Sequence, residues 1–263
     1  MLIDNKFIYL SLPRCASTAF HYSCIVNNLD IKTNNGEWEN DNSKIDFNTV
    51  DKSDIMNYIY HGHESIDKLR IKFGDDYPII AVKRDRQERF YSLYKHILFD
   101  LQRLGFVRFF ETFSKLTLDE LFFFTKDDLQ TKKKRWDIIC EFLIDLNLLD
   151  EKIDISVTSK FNKSQEEYFK TNTKGYVVNM IDILLTPLSF WTNNDPNIIW
   201  FDIKEMEKLE NWVSTTLNKP FKIHSLNSSK HMECDLVFDD NFIKRYDSIY
   251  NHYDLPKLNK TLI

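Results

Sequence analysis

The segment Ser11-Leu12-Pro13-Arg14-Cys15-Ala16-Ser17-Thr18 sets one permanent cation, two hydroxyls and small side chains behind an apolar run, Phe7-Ile8-Tyr9-Leu10. The run has strand length, and the residues from Ser17 onward read as a helix through Leu29. The chemistry that suits this spacing is capture of an anion. The first N–H groups of a helix lack internal partners and sit at the positive end of its dipole, so a phosphate or sulfate can take them. Arg14, Ser17 and Thr18 strengthen such a site. The loop is not that of a nucleoside triphosphatase. No glycine stands between Met1 and Asn35 to let the backbone wrap a triphosphate, and no acidic strand end stands out as a magnesium partner.

A second segment pairs with the first. Tyr77-Pro78-Ile79-Ile80-Ala81-Val82-Lys83 reads as a buried strand that ends in Arg84-Asp85-Arg86 and runs into a helix over Gln87 to Leu104. Arg84 then stands at the C-terminal end of a strand, where open α/β sheets bind their ligands, and Ser92 follows about two helical turns along. Between the two segments lies Tyr60-His61-Gly62-His63-Glu64. Its histidines, with an ordinary pKa of about 6.5, suit a general base.

These motifs carry a resemblance. The loop Pro13 to Thr18 resembles the 5′-phosphosulfate loop of sulfotransferases that use 3′-phosphoadenosine 5′-phosphosulfate (PAPS). Arg84, followed eight positions later by Ser92, resembles their 3′-phosphate motif. The His61-Gly62-His63 segment is similar to that of the uronyl/heparan sulfate 2-O-sulfotransferase branch, where such a histidine is the catalytic base. Leu185-Thr186-Pro187-Leu188-Ser189-Phe190, a strand over Asn197 to Phe201, a helix holding Glu207 and Leu209, and Asn227-Ser228-Ser229 follow the order of carbohydrate-type members. Between about Gly105 and Gly175 nothing matches.

The resemblance implies a single P-loop-like sulfotransferase domain over residues 1–263, a central parallel β-sheet flanked by helices. It implies transfer of a sulfuryl group from PAPS to a hydroxyl of an acceptor, a carbohydrate in the leading reading, with adenosine 3′,5′-bisphosphate as product and no metal. Arg14, Cys15, Ala16, Ser17 and Thr18 would hold the sulfate and 5′-phosphate; Arg84 and Ser92 would hold the 3′-phosphate; Ser228 and Lys230 would add a cofactor-side loop. His63 is the first candidate for the base, with His61 and Glu64 competing. Arg14 stands where many members carry a lysine. It keeps its charge at any working pH, so it would act as a clamp and not as a proton donor. Arg86 replaces a proline common in the family. Two other readings compete: a kinase-like nucleotide phosphotransferase, and a nucleotide-binding module without catalysis.

Composition bounds the rest. The chain has 263 residues, 43% hydrophobic and 14% aromatic, enough for a large core in one domain. A net charge of −5 argues against a dedicated nucleic-acid binder. Cys15, Cys24, Cys140 and Cys234 form no metal-binding spacing and read as reduced thiols; Cys15 is either a reactive thiol or a small filler. No leader sequence and no apolar run near the roughly 20 residues of a membrane span is visible. A soluble, cytoplasmic protein of microbial or viral origin is therefore expected. The oligomeric state is left open.

The positioning elements follow from periodicity. Helices are expected over Gln87 to Leu104, Asp127 to Leu148, Ile203 to Leu217 and Asp239 to Tyr250, and strands over Asn57 to His61 and Asn197 to Phe201. Asn27 to Ser53, rich in Asn, Asp and Lys, reads as a surface loop. Phe106, Phe109, Phe110, Phe113, Phe122, Phe123 and Phe124 read as core, and Lys132-Lys133-Lys134-Arg135 as a solvated helix face or a patch that recruits a polyanion.

Overall fold

The computed structural model describes residues 1–33, 36–37, 63–103, 105–116, 120, 132–153, 173–186 and 188–224. His61, Ser228, Lys230, Cys234, the Phe122-Phe123-Phe124 run, the expected strand over Asn57 to His61 and the expected helix over Asp239 to Tyr250 lie outside them. The chain divides into two compact units. The first holds the described residues up to Arg89 and those from Leu188 onward; the second holds Phe90 to Thr186.

The first unit is built on a six-stranded sheet. In chain order its strands are β1 (Leu2–Ile3), β2 (Phe7–Leu10), β3 (Ile31–Thr33), β4 (Gly36–Glu37), β5 (Ile79–Lys83) and β6 (Ile198–Asp202), and their order across the sheet is β4-β3-β1-β2-β5-β6. Every residue of β2 is buried, as are four of the five in β5, so these central strands are covered on both faces. That burial is why they read as continuous apolar runs without alternation. β2 pairs with β5, and β5 with β6, in parallel.

The expectation of a parallel sheet is corrected in its other half. β1 runs antiparallel to β2 and to β3, and β3 antiparallel to β4, so the sheet is mixed. The cause is a tight turn. Asp4 and Asn5 both take positive φ, 46° and 50°, and the Lys6 N–H bonds the Ile3 carbonyl at 2.8 Å. Two adjacent left-handed residues make the hairpin turn whose twist matches paired strands, and Asp and Asn tolerate that conformation best after glycine. A second correction concerns Asn27 to Ser53. Its Ile31–Thr33 portion is a strand on β1, with Ile31 and Thr33 buried, and not a surface loop.

Helices α1 (Ser17–Val26), α2 (Ile66–Phe73), α7 (Leu188–Thr192) and α8 (Met206–Leu217) give side chains to the core around this sheet, among them Phe20, Cys24, Leu69, Trp191, Leu209 and Val213. Phe20 stacks on Tyr9 with ring centroids 3.9 Å apart and planes 7° from parallel. α1 stops three residues short of the expected Leu29, because Asn27 and Asn28 close it, the latter at φ 50°.

The second unit is helical. It takes most of α3 (Arg86–Arg103) with α4 (Val107–Phe113), α5 (Lys132–Asp145) and α6 (Thr173–Leu185). Leu93, Ile97, Leu101, Phe109, Phe113, Trp136, Ile139, Leu143, Val178 and Ile181 form its core, so the core expectation holds for Phe109 and Phe113. Arg135 is not part of a solvated face. It is 1% exposed and its Nε donates to Asp182 Oδ1 at 2.7 Å, whereas Lys133 and Lys134 are exposed. Among the described residues, no helix is long and apolar enough to cross a membrane.

Candidate functional site

The Ser11 to Ala16 loop leaves β2 and enters α1 without a glycine, so two of its residues adopt a conformation that side chains disfavour. Arg14 and Ala16 both have φ 60°, and Cys15 between them does not share it. Left-handed residues interleaved with a residue of negative φ form the kind of backbone in which successive N–H groups can face one side, as in an anion nest. The left-handed conformation costs an L-residue about 1–2 kcal/mol each time, so the surroundings must hold it.

They hold it by the carbonyls, one after another. The Ser11 carbonyl accepts from His63 Nδ1 at 2.9 Å, and that of Leu12 from the Cys15 N–H at 3.2 Å. The Pro13 carbonyl accepts from Arg89 Nε at 3.2 Å, and that of Arg14 from Arg84 Nη1 at 3.5 Å. The Cys15 carbonyl accepts from the Tyr9 hydroxyl at 3.3 Å, and that of Ala16 from the Phe20 N–H at 2.9 Å. Every carbonyl from Ser11 to Ala16 is thus engaged. By contrast, the N–H groups of Ala16, Ser17, Thr18 and Ala19 have no acceptor among the described residues. A carbonyl repels an anion and an N–H attracts one. With the repelling groups turned to donors, the attracting ones are left at the positive end of α1.

Arg84 stands where the sequence places it, directly after β5. Its guanidinium reaches the loop and also lies 3.8 Å from Glu88. Asp85 fixes the start of α3, its Oδ1 accepting from the N–H groups of Gln87 and Glu88 at 3.0 and 3.1 Å. This cap supplies what the missing proline would have. Ser92 lies further along α3, buried, in the second unit.

Arg89, which sequence reasoning passed over, joins the same loop. It is 2% exposed, and its signal was present: Arg84, Arg86 and Arg89 crowd one strand-to-helix junction. Cys15, fully buried, registers all three loop-directed cations. Burial raises its thiol pKa, while the charges of Arg89, Arg84 and Arg14 and a hydrogen bond from the Arg84 backbone act against that rise. The thiol stays protonated at neutral pH, which makes Cys15 a filler and not a nucleophile.

His63 is half-buried beside the loop, with its ring 6.0 Å from that of Trp191 in an edge arrangement. Because a carbonyl only accepts, Nδ1 carries the proton in the contact with Ser11, so in the neutral ring the lone pair is on Nε2. Glu64, the next residue, acts electrostatically on the buried amino group of Met1. Among the described residues, no three His, Cys, Asp or Glu side chains converge as metal ligands would.

Known proteins give no guide to this arrangement: no protein-family model matches the chain, and no curated protein and no solved structure is significantly similar to it.

Proposed function

We propose that this protein is a PAPS-dependent sulfotransferase that moves a sulfuryl group onto a hydroxyl of an acceptor, a carbohydrate by preference. The observation that carries the reading is the loop itself. Six consecutive carbonyls are tied away and four consecutive N–H groups are left open, in a loop bonded by two arginines that follow the neighbouring parallel strand.

On this reading the donor supplies an activated sulfate ester bonded to a phosphate. The N–H groups of Ala16 to Ala19 and the guanidinium of Arg14 hold its charged oxygens in line with the acceptor, and Arg84 takes the second phosphate. His63 receives the acceptor's proton on Nε2 as the oxygen attacks sulfur, the new O–S bond forming while the bond from sulfur to the bridging phosphate oxygen breaks. Adenosine 3′,5′-bisphosphate leaves with the bridging oxygen's charge, which the loop N–H groups and Arg14 neutralise. The chain's share of the work is positioning and charge stabilisation, the two largest sources of rate in group transfer. Ser92, Ser228, Lys230 and His61 enter only through the sequence resemblance, as does the carbohydrate nature of the acceptor.

Two measurements decide it. Calorimetric titration with adenosine 3′,5′-bisphosphate against ATP with Mg²⁺ separates this reading from a kinase-like one: tight binding of the bisphosphate alone is expected. Transfer of label from PAPS to a panel of glycans separates it from a module without catalysis, and no transfer to any hydroxyl acceptor would refute it.

A further inference from the structure

Arg89 holds a charge that no carboxylate among the described residues balances. Its guanidinium is 2% exposed, Nε donates to Pro13, and Nη2 is buried without any hydrogen-bond partner among the described residues. The nearby carboxylates are committed elsewhere. Asp85 caps α3, and Glu88 pairs with Lys204 at 2.8 Å and lies near Arg84. Arg70, by comparison, has Asp195 at 2.5 Å, and Arg135 has Asp182 at 2.7 Å. A buried cation kept without a counter-charge is costly, so a fold that retains one has a reason to.

The neighbourhood supplies that reason. Pro13 lies within the stretch whose carbonyls are tied back, and four open N–H groups follow from Ala16. We propose that Arg89 is a positioning residue for the bound anion: a guanidinium held against the loop, whose charge is balanced by an anionic oxyanion ester, phosphate or sulfate, held on the Ala16 to Ala19 N–H groups. It acts without touching the ligand, through its field and through its grip on Pro13. The thiol of Cys15 reports that field, since among the charges acting on it Arg89 contributes most, ahead of Arg84 and of the loop's own Arg14. The inference rests on the anion-binding part of the preceding proposal and not on the identity of the donor.

The test compares wild type with Arg89→Met, Arg89→Gln and Arg89→Lys, using pyrophosphate and adenosine 3′,5′-bisphosphate as separate probes. Calorimetry reads affinity, and melting in anion-free buffer reads the scaffold. Both neutral variants are expected to lose roughly tenfold or more in pyrophosphate affinity, while Arg89→Lys stays within about threefold of wild type. In anion-free buffer the neutral variants melt at or above the wild-type temperature, because an uncompensated buried charge has been removed; a purely structural clamp would lower it. Wild-type affinity in either neutral variant overturns the proposal, and so does failure of both neutral variants to fold. If wild type takes pyrophosphate but not adenosine 3′,5′-bisphosphate, the sulfotransferase reading fails and the role of Arg89 is still decided by the pyrophosphate data. Binding of neither probe to wild type overturns both.

Discussion

Nδ1 of His63 lies 2.9 Å from the carbonyl oxygen of Ser11, fifty-two residues earlier in the chain. This bond sets the tautomer of the ring and ties it to the loop proposed to hold the donor. It predicts a separation of binding from turnover. In His63→Ala, sulfuryl transfer falls by about 10²–10⁴, the usual share of a general base, while calorimetry gives near wild-type affinity for adenosine 3′,5′-bisphosphate. Full activity in that variant removes His63 from the mechanism.

The strain in the loop is measurable by relieving it. Ala16 has φ 60° at the N-terminal boundary of α1, a conformation glycine adopts without penalty. Ala16→Gly is expected to raise the unfolding free energy by about 0.5–1 kcal/mol, read as a higher urea midpoint at unchanged slope. A drop in the midpoint would mean that the Ala16 methyl packs more tightly than its backbone suffers.

Phe20 tests the joint between α1 and the sheet. It is fully buried, stacked on Tyr9, with Phe221 5.7 Å away between ring centroids. Phe20→Ala should cost about 3–5 kcal/mol by denaturant unfolding. It should also weaken anion binding, because the same helix turn carries the open N–H groups. Phe20→Leu should recover most of the stability.

In the second unit, the Arg135–Asp182 pair is buried on both sides, at 1% and 6% side-chain exposure. Removing one partner strands the other charge, so Arg135→Met or Asp182→Leu alone should cost about 3–5 kcal/mol, whereas the double variant should come within about 1 kcal/mol of wild type. A double-mutant cycle by chemical denaturation measures this. Additive losses would contradict it.

The pH dependence of stability follows from buried acids in the first unit. Burial pushes the thiols of Cys24 and Cys15 and the phenol of Tyr9 above their ordinary values. The folded chain therefore keeps these protons at a pH where the unfolded chain has begun to lose them. The contribution of these groups is level below the ordinary thiol value of about 8.5 and falls as the pH rises beyond it. Urea midpoints between pH 7 and pH 10 should decline, and Cys24→Ala, whatever it costs in packing, should flatten the decline. An identical slope in that variant would rule out the Cys24 contribution.

Local signals carried much of the framework. The runs Phe7–Leu10 and Ile79–Lys83 were legible as strands because both faces are covered, and Asn197 to Phe201 by its apolar residues although β6 is only partly buried; the cap that Asp85 places at the start of α3 was not read. The Asp4-Asn5 turn was equally local and was passed over, which hid the antiparallel half of the sheet. Arg14 and Arg84 could be named from their places at strand ends. What the sequence by itself could not determine is where each charge and each carbonyl would point. The bonds that tie the loop join Ser11 to His63, Pro13 to Arg89 and Arg14 to Arg84 across 52, 76 and 70 residues. Arg135, read among lysines as a surface cation, was turned inward by Asp182, 47 residues away. Periodicity and capping are short-range and act within a few residues, so they are written in the order of the chain. The pairing of a donor with an acceptor depends on which strands and helices become neighbours, and only the packed tertiary structure decides that.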